Sequence, residues 1–336
     1  MSKKISIKEI ADICGVSVAT VSRVINNNGR FSEETRKRVM DTIDKYDYTI
    51  NMAAKSLRMR KSKTIGIIVP DISNEFFSKL VLEMEIFFFN IGYSVFICNT
   101  NQNEMKEMEY FKSLDAKLVD GIICISGSES IPTDSIKRNI PIVCIDRKPS
   151  NNKHNTIHVQ SDHFLGGFIA TEELIKKGCK NILILTKNKS ISVNRQRLDG
   201  YINALEKYKY PVRDDLIIKL SGNRSNVDEA RDTINYLIKK GLEFDGIFAT
   251  NDTRAYGALV ALQQNDIDVP SQVKIVGFDG ISVSEIANPP ITTIYQDYKA
   301  LADQSSDLLL QLINRNKEMT YNHVVIPVYL IERKTT

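Results

Sequence analysis

The chain has 336 residues, 42% of them apolar and 26% charged, and a net charge of +4. That length buries a sizeable core and implies about two or three domains. No apolar run approaches the roughly eighteen residues of a membrane helix, and no apolar stretch follows the lysines of MSKKISIKEIADIC as it would in a signal peptide, so the expected location is the cytoplasm, with no membrane partner.

The charge is unevenly spread. Residues 1–63 hold 14 Lys/Arg against 7 Asp/Glu, whereas the remainder holds 31 against 34. A basic segment that also carries hydrophobic periodicity is a folded element, and its charge suits a nucleic-acid partner. Ser6 and Glu9 have capping-box spacing, so a helix is expected from there, burying Ile7, Ile10, Ala11 and Ile13. Gly15 supplies a turn. Ser17 then caps a second helix that buries Val18, Val21, Val24 and Ile25, and Ser32 opens a third with Val39, Ile43 and Tyr46 as its apolar stripe. Three short helices with a tight first turn form a helix-turn-helix over residues 1–49. The second helix keeps hydroxyls, amides and Arg23 outside, side chains short enough to bond phosphates and base edges, while arginine grips guanine through two hydrogen bonds.

The segment IKEIADICGVSVATVSRVIN closely resembles the first two helices of the lactose-repressor (LacI/GalR) family of bacterial transcription regulators, and the likeness continues through NMAAKSL to the C-terminal VIPVYLIERKTT. The resemblance implies that Val18, Ala19 and Arg23 face bases, while Ser17, Thr20, Ser22 and Asn26 hold phosphates of a pseudo-palindromic double-stranded operator. It also implies that residues 50–62 form a hinge helix with Asn51, Lys55 and Leu57 at the DNA, Leu57 wedging between base steps and bending the duplex. About two turns of helix are unstable alone in water, so the hinge is expected to order only when paired in the minor groove. This chain has Ile50-Asn51 where the family usually places proline, which leaves the entry to the hinge less rigid.

From Thr64 the pattern changes. TIGIIVP, YSVFICNT, GIICIS and IPIVCID, then NILILT, LIIKL, GIFAT and VKIVGFD, are continuous apolar strands separated by helical stretches. The expectation is an α/β architecture of two doubly wound parallel-sheet lobes spanning 63–336, and the resemblance implies that these lobes are periplasmic-binding-protein-like. The first lobe is expected at about 63–160 and 293–324, the second at about 161–292 and 325–336. Ligands bind such sheets beyond the carboxyl ends of strands, where Asp146, Arg147, Asn251, Asp252, Asp279 and Gln296 fall, with Arg197 opening RLDGY. Carboxylates, amides and arginine suit sugar hydroxyls, although strand-end polar residues, Asp252 among them, also serve as helix caps. The set Asp146, Arg197, Asn251, Asp279 and Gln296 matches the family's effector cleft. Phe76 and Phe77 fit either its aromatic wall or the core. Arg224 stands where many relatives carry an aromatic ring, and fits either a phosphate of a sugar-phosphate effector or a solvated loop.

No phosphate loop, nucleophile elbow or HExxH zinc motif occurs in the sequence, so neither an enzyme nor a cofactor is expected. Cys14, Cys98, Cys124, Cys144 and Cys179 lack metal-ligand spacing and read as buried thiols. His154, His158, His163 and His323 suit solvated or capping positions, and NEMKEMEYFK reads as a solvated helix face. The resemblance thus implies a sugar-responsive repressor, with a regulator whose DNA binding is promoted by a small-molecule or protein corepressor as its rival and a sugar-transport protein as a remoter one. No heptad repeat follows Arg333, so the expected assembly is a homodimer.

Overall fold

The computed structural model describes residues 5–48, 61–125, 131, 136–147, 156–187, 192–222, 225–314 and 323–336. The chain divides into two compact units, Met1–Ser62 and Lys63–Thr336. The expected hinge residues Asn51, Lys55 and Leu57, and Arg224, lie outside the described residues.

In the first unit, α1 (Ile7–Cys14), α2 (Val18–Ile25) and α3 (Glu33–Lys45) enclose a core of Ile10, Ala11, Cys14, Val21, Val24 and Val39. The Ser6/Glu9 capping box is present in both directions. Gly15 ends α1 at φ 63°, a conformation only glycine adopts freely, and its amide bonds back to Ala11 and Asp12. Two details differ from expectation. Ile13 is exposed and Cys14 takes the buried place, because the stripe Ile7-Ile10-Ala11-Cys14 follows the helical period and Ile13 falls beside it. Tyr46 is likewise exposed, with Thr42 buried and Tyr48 packed against the core instead.

The second unit contains two six-stranded sheets. The first comprises β1 (Thr64–Val69), β2 (Ser94–Asn99), β3 (Gly121–Ile125), β4 (Ile142–Ile145), β5 (Thr156–Ser161) and β11 (His323–Ile326), in the order β11-β5-β4-β3-β1-β2. Its described pairings are parallel. One face is covered by α4 (Glu75–Asn90) and α11 (Tyr298–Ile313), and α5 (Glu104–Ala116) lies on the other. The second sheet comprises β6 (Ile182–Lys187), β7 (Ile217–Leu220), β8 (Gly246–Ala249), β9 (Lys274–Asp279), β10 (Thr292–Gln296) and β12 (Val328–Ile331), in the order β12-β10-β9-β8-β6-β7. Helices α6 (His163–Lys176) and α7 (Ser192–Lys207) pack on one face, α8 (Asn226–Lys239) and α9 (Asp252–Gln264) on the other, and the short α10 (Ser282–Ile286) follows β9.

Two doubly wound lobes were expected, and both sheets are sandwiched by helices. The strand β12 is a departure, pairing antiparallel with β10. The expected lobe boundaries also shift. Strand β10 belongs to the second sheet, so the return to the first lobe comes after Gln296 and not at 293, and the last crossing lies between Ile326 and Val328. Aspartates mark two of the crossings: Asp162 caps α6 by accepting from the Leu165 amide, and Asp297 caps α11 by accepting from the Ala300 amide, each at 2.9 Å. Among the described residues no helix is long and apolar enough to cross a membrane.

Candidate functional site

The second helix of the first unit is built as a displayed surface. Val21 and Val24 face inward, while Ala19, Arg23 and Asn26 are exposed. Ser17 caps it, its Oγ accepting from the Thr20 amide at 3.1 Å and lying 3.0 Å from the Thr20 hydroxyl. Asn26 folds back to donate to the Ser22 carbonyl at 2.7 Å. The stem of Arg23 lies against Gly29, where an added Cβ would stand 3.3 Å from Arg23 Cδ. Val18 is half-buried and packs against the core, so its side chain is shared between the interior and the displayed surface.

In the second unit the polar residues converge at strand ends of both lobes. Asp146 follows β4 at φ 53° and Asp279 ends β9 at φ 114°. Non-glycine residues in such conformations carry about 1–3 kcal/mol of strain each and cluster at functional sites. Asp146 Oδ1 accepts from the Ser161 amide at 3.2 Å and lies 2.7 Å from His163 Nε2. The other ring nitrogen, His163 Nδ1, accepts from Arg197 Nε at 3.4 Å. The Arg197 guanidinium stacks 3.6 Å from the Phe278 ring centroid, donates to the Thr250 carbonyl and stands 3.6 Å from Asp279 Oδ1. Gln296 Nε2 donates to the same Asp279 oxygen at 2.8 Å.

Local packing sets this chain of contacts. Helices α6 and α7 approach backbone to backbone: a Cβ on Gly167 would meet the Arg197 carbonyl oxygen at 2.2 Å, and one on Gly200 would meet the Phe164 carbonyl oxygen at 2.2 Å. Only glycine permits that approach, which brings Arg197 of α7 onto His163 at the start of α6. Burial divides the carboxylates. It pushes Asp279 up to about 6 despite Arg197 and Gln296. It pushes Asp252 up to about 8, helped by the charge of Asp279, so Asp252 is largely protonated at neutral pH. At Asp146 the opposing contacts with His163, Arg197 and the Ser161 amide outweigh burial and hold the group below its ordinary value.

Of the residues singled out from sequence, Asp146, Arg197, Asp279 and Gln296 are brought together. Asn251 lies beside them as the cap of α9, its Oδ1 accepting from the Arg254 amide at 2.8 Å. Asp252 is not the cap: it is fully buried, accepting from the Ile281 amide at 2.8 Å and bonded to the Thr293 hydroxyl. Phe76 is buried in the first-lobe core and does not form an open wall; Phe77 is half-buried, edge-on to it at 5.7 Å between centroids. Arg147 turns away to a buried ion pair with Glu107, which corrects the reading of that helix face as solvated. His163, expected to be solvated or capping, is fully buried at the centre of the cluster. Sequence reasoning also missed Thr250 and Arg254, since the signal for both is their place just after β8 rather than any motif. The cysteines are buried and unbridged.

Further contacts tie the lobes together around the cluster. Lys187 Nζ donates to Gln102 Oε1 at 2.6 Å, Gln160 and Gln196 side-chain amides meet at 3.4 Å, and Glu75 Oε1 accepts from the Ser282 amide at 3.0 Å. Buried Ser161 Oγ and Gln296 Oε1 have no hydrogen-bond partner among the described residues. The cluster therefore offers carboxylate acceptors, guanidinium donors and an open amide oxygen within one interlobe space.

Comparison with known proteins agrees with both halves. Residues 6–51 match the family described as bacterial regulatory proteins, lacI family, and residues 62–334 match periplasmic binding proteins and sugar binding domain of LacI family. The HTH-type transcriptional regulator RegA of Clostridium acetobutylicum is 36% identical over 332 residues, 98% of each chain. The ribose operon repressor of Halalkalibacterium halodurans is 33% identical over 98% of this chain and 97% of that one. Among solved structures, a lac repressor dimer bound to operator and the anti-inducer ONPF superposes with a TM-score of 0.86 at 25% identity, over 99% of each chain. With both units matched in order and relatives aligned end to end, the chain belongs to the LacI family of bacterial transcription regulators.

Proposed function

We propose that this protein is a homodimeric repressor of a carbohydrate-utilisation operon, relieved by a sugar-class effector held between its lobes. The observation that carries the reading is the pairing, in one chain, of a helix displaying Ala19, Arg23 and Asn26 with an interlobe cluster of Asp146, Arg197, Asp279 and Gln296. In this reading Val18, Ala19 and Arg23 meet base edges. Ser17, Thr20, Ser22 and Asn26 meet phosphates, and Asn51, Lys55 and Leu57 act from the hinge. The ribose operon repressor and the operator-bound lac repressor dimer among its relatives support the assignment.

An effector that prefers one arrangement of the lobes weakens DNA binding by the same factor by which DNA weakens effector binding. Strained Asp146 and Asp279, one from each lobe, are suited to report that arrangement because each contributes to contacts that cross or line the interlobe space. The cluster is not arranged for catalysis. Arginine has no acceptor, so His163 Nδ1 is the acceptor in its contact with Arg197, and with Nε2 on Asp146 no ring nitrogen is left to activate a nucleophile.

The test is retardation of DNA from the promoter regions flanking carbohydrate operons, with and without a panel of monosaccharides and disaccharides. Specific retardation that a sugar releases is the expected result. Retardation that a small molecule strengthens would replace relief by corepression, and absence of any specific retardation would overturn the reading.

A further inference from the structure

Arg254 is the least expected residue near the cluster. It sits in the first turn of α9 and is 4% exposed. Helical side chains lean toward the N-terminus of their helix, and Arg254 runs back in that direction, its NH1 donating to Thr250 Oγ1 at 3.0 Å. Among the described residues no carboxylate lies within ion-pair distance of it, and its Nε has no hydrogen-bond partner. A buried cation ordinarily has a paired anion. A helix N-terminus, moreover, carries the positive end of the helix dipole and disfavours a further positive charge.

A second guanidinium stands close by. Arg197 donates to the carbonyl of the same Thr250 whose hydroxyl accepts from Arg254, so two buried guanidinium groups converge on one residue at the carboxyl end of β8. Burial and the repulsion of Arg197 push Arg254 down to about 10, against the attraction of Asp279 and Glu229. Neither carboxylate is free to neutralise it at contact. Asp279 is engaged by Gln296 and Arg197, and Glu229 accepts from the Ser221 amide at 2.7 Å and from the Gly222 amide.

We propose that Arg254, with Arg197 and the N-terminus of α9, forms an anion subsite in the interlobe space, so that the effector is a small sugar derivative bearing a carboxylate or phosphate. This deepens the proposed function and rests on its placement of the effector between the lobes. The hydroxyls of the ligand meet Asp146, Asp279 and Gln296, and its anionic group meets the two guanidiniums. An arginine fork matches either anion through paired N–H donors, so chemistry common to sugar acids and sugar phosphates defines the subsite.

Matched ligand sets test this on the full chain by calorimetric titration and thermal shift. The sets are D-glucose with D-gluconate, D-glucuronate and glucose 6-phosphate, and D-ribose with D-ribonate and ribose 5-phosphate. At least one acidic member is expected to bind wild type more tightly than its neutral parent, with the carboxylate and phosphate arms identifying the source of the anion. Arg254→Met is expected to weaken that member by about tenfold or more while leaving operator retardation intact. Should Arg254→Met fail to fold, Arg254→Lys decides: a weakened preference for the acid supports the subsite, and a preference equal to wild type overturns it. The subsite is also overturned if no acidic member exceeds its neutral parent. A neutral sugar that releases operator DNA from wild type and Arg254→Met alike removes the anion subsite but leaves a sugar-responsive repressor standing. Loss of specific DNA retardation in wild type would instead remove the underlying reading.

Discussion

Asp146, from the first lobe, and His163, from the second, are joined by a 2.7 Å hydrogen bond between two buried side chains, and Arg197 holds the far side of the same ring. Because arginine only donates, the imidazole in this arrangement is neutral, with its proton on Nε2 and directed at the carboxylate.

His163→Phe deprives both a buried carboxylate and a buried guanidinium of a partner. A loss of about 1–3 kcal/mol or more of folding stability is expected by chemical denaturation at pH 7.5. The pH dependence gives a sharper check. Burial pushes His163 below its ordinary value, so as pH falls below about 6.5 the unfolded chain takes up a proton that the folded chain refuses. The contribution of His163 to stability is therefore complete above that pH and lost on acidification. The variant has no such loss, and the stability gap between it and wild type should narrow between pH 8 and pH 5.5. A gap that widens would mean the imidazole is charged in the fold.

Asp279 has the opposite dependence. Its carboxyl is pushed up to about 6 by burial, so between about pH 4 and 6 the folded chain keeps a proton that the unfolded chain has released. That advantage is lost as pH rises through 6. Asp279→Asn mimics the protonated group, and its melting temperature should exceed that of wild type at pH 7.5 but approach it at pH 5. With Arg197→Ala, it should also abolish effector release while operator retardation persists, because neither residue belongs to the DNA-reading unit. A variant still released by the wild-type effector would remove the residue from the effector site.

Much of this organisation is legible in the sequence. Capping at Ser6 and Ser17 and the left-handed Gly15 are local chemistry, decided within a few residues. Continuous apolar strands announced doubly wound lobes, and the same pattern placed Asp146 and Asp279 at strand ends. What escaped was non-local. His163 meets partners 17 and 34 residues away, and nothing around it in sequence distinguishes it from a helix cap. Strand β5, TIHVQS, carries His158 and Gln160 in place of a continuous apolar run and lacked the strand signal its neighbours show. Glu107 sits in a stretch rich in Lys and Glu, and only its pairing with Arg147, 40 residues on, makes its burial intelligible. The antiparallel β12 depends on where the chain crosses between lobes, which composition does not encode.

Arg23 reaches outward from α2 with its stem supported by Gly29. If it reads a base, Arg23→Ala should lose about 1–3 kcal/mol of operator affinity and relax preference at one position of each half-site. The excess charge of residues 1–63 predicts steep salt dependence for the wild type, reduced little by this substitution. Gly29→Ala should weaken operator binding to a lesser degree, since glycine there has φ 99° and the added methyl presses on the arginine stem. Equal losses on operator and random DNA for Arg23→Ala would make it a phosphate contact, a result that quantitative retardation at several salt concentrations would reveal.

The assembly prediction rests on α4 and the edge strand β2. The inward side of α4 carries Leu80, Met84 and Phe88, all fully buried, while Leu82, Ile86 and Phe89 on its other side are 55%, 45% and 70% exposed. Phe96 and Ile97 on β2 are exposed as well, and β2 is the edge of the first sheet. An apolar helical stripe beside an exposed edge strand is unfavourable for an isolated chain and suits a two-fold contact in which the same patch meets itself. A dimer is also what a pseudo-palindromic operator requires, since two reading heads must address two half-sites. Wild type should therefore sediment at about twice its 38.1 kDa mass. The double variant Ile86→Glu and Phe89→Glu places charges at the centre of the stripe and should sediment as a monomer. It should keep its fold and its effector affinity, because the interlobe cluster lies elsewhere, yet bind operator far more weakly because each head must bind alone. If the double variant remains a dimer with unchanged operator affinity, the α4 stripe is not the interface, and if wild type itself is monomeric at micromolar concentration, the dimeric mechanism fails.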